Sequence, residues 1–375
     1  MSTALFRPLR VRSLELKNRI VISPMMQHAA PGGFANHWHL VHLGKFALGG
    51  AGLIFTESTA VSPMGRIGRD DAGLWRDAHI EPWRAVTEFV HQSGAAIGVQ
   101  IGHAGRKAGS KPLWEGGVAL TTAQMAADDP HWVRLGPSAI AAGEGWSTPK
   151  AMTLQDIAQA VDEFAAAAYR ADQAGFDVVE LHFGHGYLVT SFLSPVSNQR
   201  TDAYGGDLEG RMKLAIDIAT RVRAVWPSHK PLWCRLSVVD GAVGGWSAED
   251  TVLLVRRLQT IGVDVIDCSS GGLTEQTKAL PVPRGLGFQV PFARKVREET
   301  GVLTQAVGMI VDPHQADEII SSGAADLVAI GREALFDPYW PLHAQQVLDR
   351  DPQFTDWHVR HGVWLKKRQT FLDSL

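Results

Sequence analysis

The chain has 375 residues, with 36 basic against 39 acidic side chains, a net charge of −3 and two cysteines. That length exceeds a typical single domain but suits one α/β barrel with insertions, and its scattered charges give no nucleic-acid or anionic-membrane surface. No apolar run reaches membrane-spanning length, MSTALFRPLRVRS lacks a signal peptide's apolar core, and Cys234 and Cys268 sit in apolar strand-like runs, as core residues of a cytoplasmic protein would.

Strand-like runs fall in order at 20–24, 52–57, 96–102, 177–182, 232–237, 263–269, 302–308 and 326–331. Helical patterns at 38–48, 80–92, 154–174, 208–226, 248–261, 292–300, 313–322 and 338–350 alternate with them. Thr153 and Ser247 stand where helix N-caps belong, and Gly94, Gly175, Gly262, Gly301 and Gly323 follow helices as C-terminal stops. Eight strand–helix units predict a closed (β/α)8 TIM barrel, a single α/β domain with its barrel over about 18–350. An open doubly wound sheet is the competing architecture. It usually carries a glycine fingerprint after its first strand, where this chain has Ser23-Pro24-Met25-Met26.

The segment 103–152, rich in Gly, Pro, Ala and Trp, interrupts the rhythm. Leaving the carboxyl end of the third strand, it is expected to cap the mouth of the barrel. Trp114, Trp132 and Trp146 would either pack a lid or anchor the loop to the body. Residues 351–375 form a C-terminal tail.

Chemistry concentrates at strand ends. His182, His185 and Tyr187 follow the fourth strand, where two imidazoles could polarise a carbonyl or phenolate and a phenol could supply a proton. Satisfied loop polar groups are the plainer alternative. Gly308 and Gly331 end the seventh and eighth strands, and Arg332 follows, a pattern that seats a phosphate in many barrels. A surface salt bridge would account for Arg332 alone. Arg235, central in the fifth strand, needs an anionic or electron-rich partner, and Gln100 offers an amide to a heterocycle's edge.

SPMM after the first strand, GHAGRKA after the third, the 180–206 segment ELHFGHGYLVTSFLSPVSNQRTDAYGG and IGREALFDPYW after the eighth resemble the Old Yellow Enzyme family of NADH:flavin oxidoreductases and ene-reductases. The likeness is greater to its compact bacterial branch and spans nearly the whole chain. It implies a TIM-barrel flavoprotein with non-covalent FMN, reduced by NADPH or NADH, that passes hydride to an activated alkene of an α,β-unsaturated carbonyl compound. A different task on the same scaffold stays open: aryl- or dienoyl-CoA reduction, oxidative demethylation or isomerisation. An iron–sulfur relative would need a cysteine cluster that is absent.

By the same resemblance His182 and His185 would bind the carbonyl oxygen and Tyr187 would protonate the α-carbon. Gln100 and Arg235 would hold the isoalloxazine, Ser23, Pro24, Met25, Met26 and Ala60 would line it, and Gly308, Gly331 and Arg332 would hold the phosphate. Met26 and His28 depart from the branch, which has a cysteine and a substrate-binding tyrosine there; His28 adds a titratable ring to the pocket. Arg360 is the nearest counterpart of a tail arginine that reaches a neighbouring subunit, the alternative being a solvated extension. The expected partners are a small-molecule substrate and a nicotinamide dinucleotide, within a homo-oligomer.

Overall fold

A computed structural model describes residues 3–273 and 284–375. Met1 and Ser2, the first two residues of the N-terminal stretch considered above, lie outside the described residues. Eight parallel strands, β1 (Ile20–Ile22), β2 (Leu53–Ala60), β3 (Ala96–Gly102), β4 (Val178–Phe183), β5 (Leu232–Ser237), β6 (Val265–Ser269), β7 (Leu303–Val307) and β8 (Leu327–Ile330), close a barrel in sequential order. The helices α1 (His37–Leu48), α2 (Ile80–Gln92), α3 (Leu154–Gln173), α4 (Leu208–Val225), α5 (Ala248–Ile261), α6 (Val290–Thr300), α7 (Pro313–Ser321) and α8 (Trp340–Val347) each follow one strand. The chain thus forms the (β/α)8 TIM barrel that the alternation predicts.

Strand alternation divides the core into two shells. Val21, Leu53, Phe55, Val178, Trp233, Val265 and Leu327 point into the barrel, with Phe55 and Trp233 in ring contact at 5.3 Å. Their neighbours Ile20, Ile22, Ile54, Val179, Leu181, Cys234 and Cys268 face the helices. Both cysteines are therefore free, buried packing residues. A hairpin, Leu9–Val11 paired with Leu14–Leu16, adds Val11 and Leu16 to the inner shell at the strands' amino ends. Apolar closure of that end leaves the polar inward positions to the carboxyl ends of the strands.

Thr153 and Ser247 make full capping boxes with Asp156 and Asp250. The five glycine stops all have positive φ, a conformation that lets the chain turn from helix to strand without Cβ strain. Short elements escaped the sequence periodicities: the hairpin, the helices Thr122–Asp128, Leu188–Leu193 and Arg332–Phe336, and the tail helix Val359–Leu372. Most are under three turns, too short for a helical period to register.

Two buried arginines and one half-buried arginine pin the segment 103–152. Arg106 donates to the carbonyls of Ala141 and Leu273 at 3.1 and 2.7 Å, Arg134 to those of Gly109 and Leu120, and Arg200 to those of Pro137 and Met152. Trp132 is buried beneath the Arg66 guanidinium, 4.2 Å from its ring centroid, so it anchors the loop. Trp114 and Trp146 instead line a cavity at the barrel mouth. No helix among the described residues is long and apolar enough to cross a membrane.

Candidate active site

Strand register assembles the polar floor of the mouth. Gln100 on β3 pairs with Glu180 on β4, while His182, Arg235 and Asp267 stand side by side on β4, β5 and β6. Gln100 Nε2 donates to Glu180 Oε1 at 2.8 Å. Arg235 Nε lies 3.1 Å from Asp267 Oδ2, and its Nη1 reaches Ser23 Oγ at 3.3 Å. Burial drives both carboxyls up, Glu180 to about 8, while the single guanidinium opposes the rise in each. Asp267 is the acidic neighbour of Arg235 in the barrel. Neither acid was singled out from the sequence, although each is an acidic residue inside an otherwise apolar strand.

Above this floor lie His182, His185 and Tyr187. The ring of His182 meets those of His185 and Tyr187 edge-on, each at 5.1 Å between centroids. His185 is held by its Nε2 against Ser269 Oγ at 2.7 Å and by its backbone N–H donating to Ser237 Oγ at 2.8 Å. Its φ of +63° is a left-handed conformation rare outside glycine, which the Ser237 contact and Lys107 help to hold. Lys107 Nζ donates to the carbonyls of His185 and Gly272 at 3.0 and 2.9 Å. His182 Nδ1 is buried without a protein partner, and His185 Nδ1 faces only His182 Nε2, at 3.4 Å.

Burial, with Arg235 and Lys107 nearby, pushes both imidazoles well below their ordinary pKa, so both are neutral. Burial and the charge of Asp71 push Tyr187 well above its ordinary range, so its proton stays on. Two neutral N–H donors and a protonated phenol can bind an oxygen on one atom of a ligand and deliver a proton to another.

Two cavities flank the trio. One, of about 310 Å³, is lined by His185, Arg235, Gly308, Gly331 and Arg332. Gly308 has φ +124°, and a Cβ there would come within 3.1 Å of Gln289 and Phe288. A Cβ at Gly331 would have Met25 and Ser23 as its nearest neighbours, so larger side chains would occupy the cradle. Arg332 is exposed and makes no ion pair among the described residues. Backbone approach at two glycines, one cation at the rim and a buried guanidinium on the floor form a donor set that fits FMN.

The other cavity, of about 420 Å³, is lined by Met26, His28, Lys107, Trp114, Trp146 and Tyr187 among others. Of the remaining residues singled out in the sequence, Ser23 and Met25 lie nearest the point that a Cβ at Gly331 would occupy, and neither is in the wall of the first cavity. Ala60 is buried at the end of β2, with its N–H donated to the Ala72 carbonyl, and lines neither cavity. Gln100 spends its amide N–H on Glu180. Pro24 follows β1 at the same rim. Arg360 is exposed on the tail helix.

His28 has a partner that the sequence did not suggest. Its Nδ1 lies 2.8 Å from Asp71 Oδ1, and Asp71 is itself fixed by the backbone N–H groups of Ile67 and Gly68 at 2.6 and 2.9 Å. His28 also has positive φ, +49°. Its backbone N–H and that of Gln27 approach Glu57 Oε2, whose other oxygen meets His39 Nε2 at 3.1 Å.

The model of the NADH:flavin oxidoreductase / NADH oxidase family matches residues 4–351. An NADPH dehydrogenase of Geobacillus thermodenitrificans is 42% identical over 351 residues, covering 93% of this chain and 95% of its own. Morphinone reductase superposes with a TM-score of 0.76 at 26% identity, covering 92% of this chain and 89% of its own. A 2-naphthoyl-CoA reductase shares the fold at 22% identity and a TM-score of 0.82; this chain covers 53% of its length. The chain therefore belongs to the NADH:flavin oxidoreductase / NADH oxidase family, and is an FMN-dependent NAD(P)H oxidoreductase of the Old Yellow Enzyme kind.

Proposed function

We propose that the protein is an ene-reductase that takes hydride from NAD(P)H and reduces the activated C=C bond of α,β-unsaturated carbonyl compounds. One observation carries this reading: His182 touches both His185, in the wall of the glycine-lined cavity, and Tyr187, in the wall of the aromatic one. Bound FMN supplies hydride transfer from the nicotinamide to the electrophilic carbon. Arg235, Gln100, Gly308, Gly331 and Arg332 bind the cofactor, and Ser23, Pro24, Met25 and Met26 shape its surroundings. The imidazoles of His182 and His185 donate N–H bonds to the carbonyl oxygen, where negative charge gathers as the β-carbon becomes saturated. Tyr187 holds the proton that the α-carbon receives. Trp114 and Trp146 supply the aromatic wall against which the substrate's apolar part packs.

The relatives named NADPH dehydrogenase favour NADPH as the reductant. The absence of a membrane-crossing helix among the described residues agrees with action in the cytoplasm. The test is direct. Denatured protein should release FMN and no FAD, and NADPH should bleach the yellow protein under anaerobic conditions. Cyclohexenone should then restore the colour. Release of FAD, or reoxidation by quinones or acyl-CoA enoates alone, would contradict the reading.

A further inference from the structure

Beside the aromatic cavity lies a second, smaller one of about 210 Å³, and His28, Ser110 and Lys111 line both. The three converge from two segments of chain: the turn after β1 carries His28, and the loop after β3 carries the others. Lys111 makes no ion pair among the described residues, and no acidic side chain lines the larger cavity. Acids appear only beyond the junction, where Asp70 and Glu115 line the smaller cavity together with Arg69, which is paired with Asp128 at 2.8 Å. An anion entering from the aromatic side therefore meets cationic and hydroxyl groups first and repulsive carboxylates behind them.

Asp71 sets the polarity of the imidazole. Its Oδ2 accepts from the Ile67 and Gly68 backbone, and its Oδ1 faces His28 Nδ1, so the carboxylate is fixed and makes Nδ1 a donor. The other ring nitrogen, Nε2, has no partner among the described residues. It offers a lone pair when the ring is neutral and a charge-assisted N–H when the ring is protonated.

Deepening the ene-reductase reading, on which it rests, we propose that the substrate carries a carboxylate besides its activating carbonyl. This carboxylate is held at the junction of the two cavities by His28 and Lys111, beside Ser110, whose Oγ donates to the Ile67 carbonyl at 3.3 Å, with Asp71 as the positioning residue for the imidazole. The carbonyl end lies at His182 and His185, and an apolar body lies between Trp114 and Trp146. Burial disfavours the charge on His28, but the hydrogen bond and charge of Asp71, with the charges of Glu57 and Asp70, outweigh it and raise its pKa. Lys107, Lys111 and Tyr187 are the other titratable groups lining the same cavity.

The experiment uses oxidised, FMN-loaded protein without nicotinamide, so that no turnover occurs. A cyclohexenone with a carboxylate opposite its carbonyl is compared with its methyl ester, and each dissociation constant is read from the flavin absorbance. At about pH 6, where an imidazole with a raised pKa is protonated, the acid should bind about tenfold tighter than the ester, the scale of one charge-assisted hydrogen bond. Lys111→Met and His28→Phe should each bring the ratio to about one or below. Asp71→Asn should move the pH midpoint of the ratio downward, which a purely structural role would not do. Tighter binding of the ester by the parent, or an unchanged ratio in both cavity variants, would overturn this proposal alone. Failure of both ligands to bind would overturn it together with the reading beneath it.

Discussion

Arg235 on β5 and Asp267 on β6 face each other at 3.1 Å, in register, beneath the mouth of the barrel. Both are buried, and Glu180 is a second acid at the same depth, so one guanidinium serves two carboxyls. Removing one partner of such a pair strands the other charge in a low dielectric. Asp267→Ala is therefore expected to destabilise the protein by roughly 3–5 kcal/mol. Asp267→Asn, which keeps a polar partner, should cost less. Urea unfolding of the two variants checks the order.

The glycine-lined cavity makes a separate prediction. Gly331→Leu would project a side chain into the space beside Met25 and Ser23. Purified Gly331→Leu should contain far less FMN than the parent while keeping the parental circular dichroism. Full flavin content would show that the cofactor lies elsewhere.

Tyr187 keeps its proton because burial and Asp71 both oppose its ionisation. Tyr187→Phe should leave reduction by NADPH intact but slow alkene reduction by about 10²–10⁴-fold, the usual range for a general acid. Rapid-mixing measurements of the two half-reactions separate these effects. The loss should be largest for alkenes whose carbanion is poorly stabilised.

For His28 the raised pKa fixes the sign of the pH effect. The protonated ring persists to higher pH than a free histidine, so phenolate ligands bind more tightly below its folded pKa. Their affinity, corrected for their own ionisation, should fall as pH rises through that value. In His28→Phe the corrected profile should be flat. Because the shift is upward, protonated His28 also contributes stability that is fully present below its unfolded pKa and is lost as pH rises through the folded one. Stability of the parent relative to His28→Phe should decline over that window.

Most of the architecture was legible because a buried parallel barrel leaves long, strongly patterned signals. Each of the eight strands coincides with a predicted apolar run, within a few residues at the ends, and α2 and α5 match at both ends. The hairpin at the amino end and the helix Leu188–Leu193 were too short to show a period. The trio of His182, His185 and Tyr187 was visible because its members lie within six residues of one another. Asp71 was not, since 43 positions separate it from His28 and only the folded loop joins them. Glu180 and Asp267 left a fainter trace, as acids in apolar strands, whose meaning needed the strand register. The tryptophans divided for a local reason: Trp132 has the Arg66 guanidinium above it, while Trp114 lies edge-on to His28 in the cavity wall.

The central claim is that His182 and His185 bind the oxygen of an alkene's activating carbonyl while the barrel holds a reducible flavin. The most direct measurement is the rate at which cyclohexenone reoxidises NADPH-reduced protein under anaerobic conditions, in the parent and in His182→Ala and His185→Ala. Loss of one donor to a developing oxyanion costs on the order of 3 kcal/mol. Each variant should therefore bind FMN and accept hydride from NADPH as before, yet be reoxidised about a hundredfold more slowly. Reoxidation of both variants at the parental rate would contradict the account.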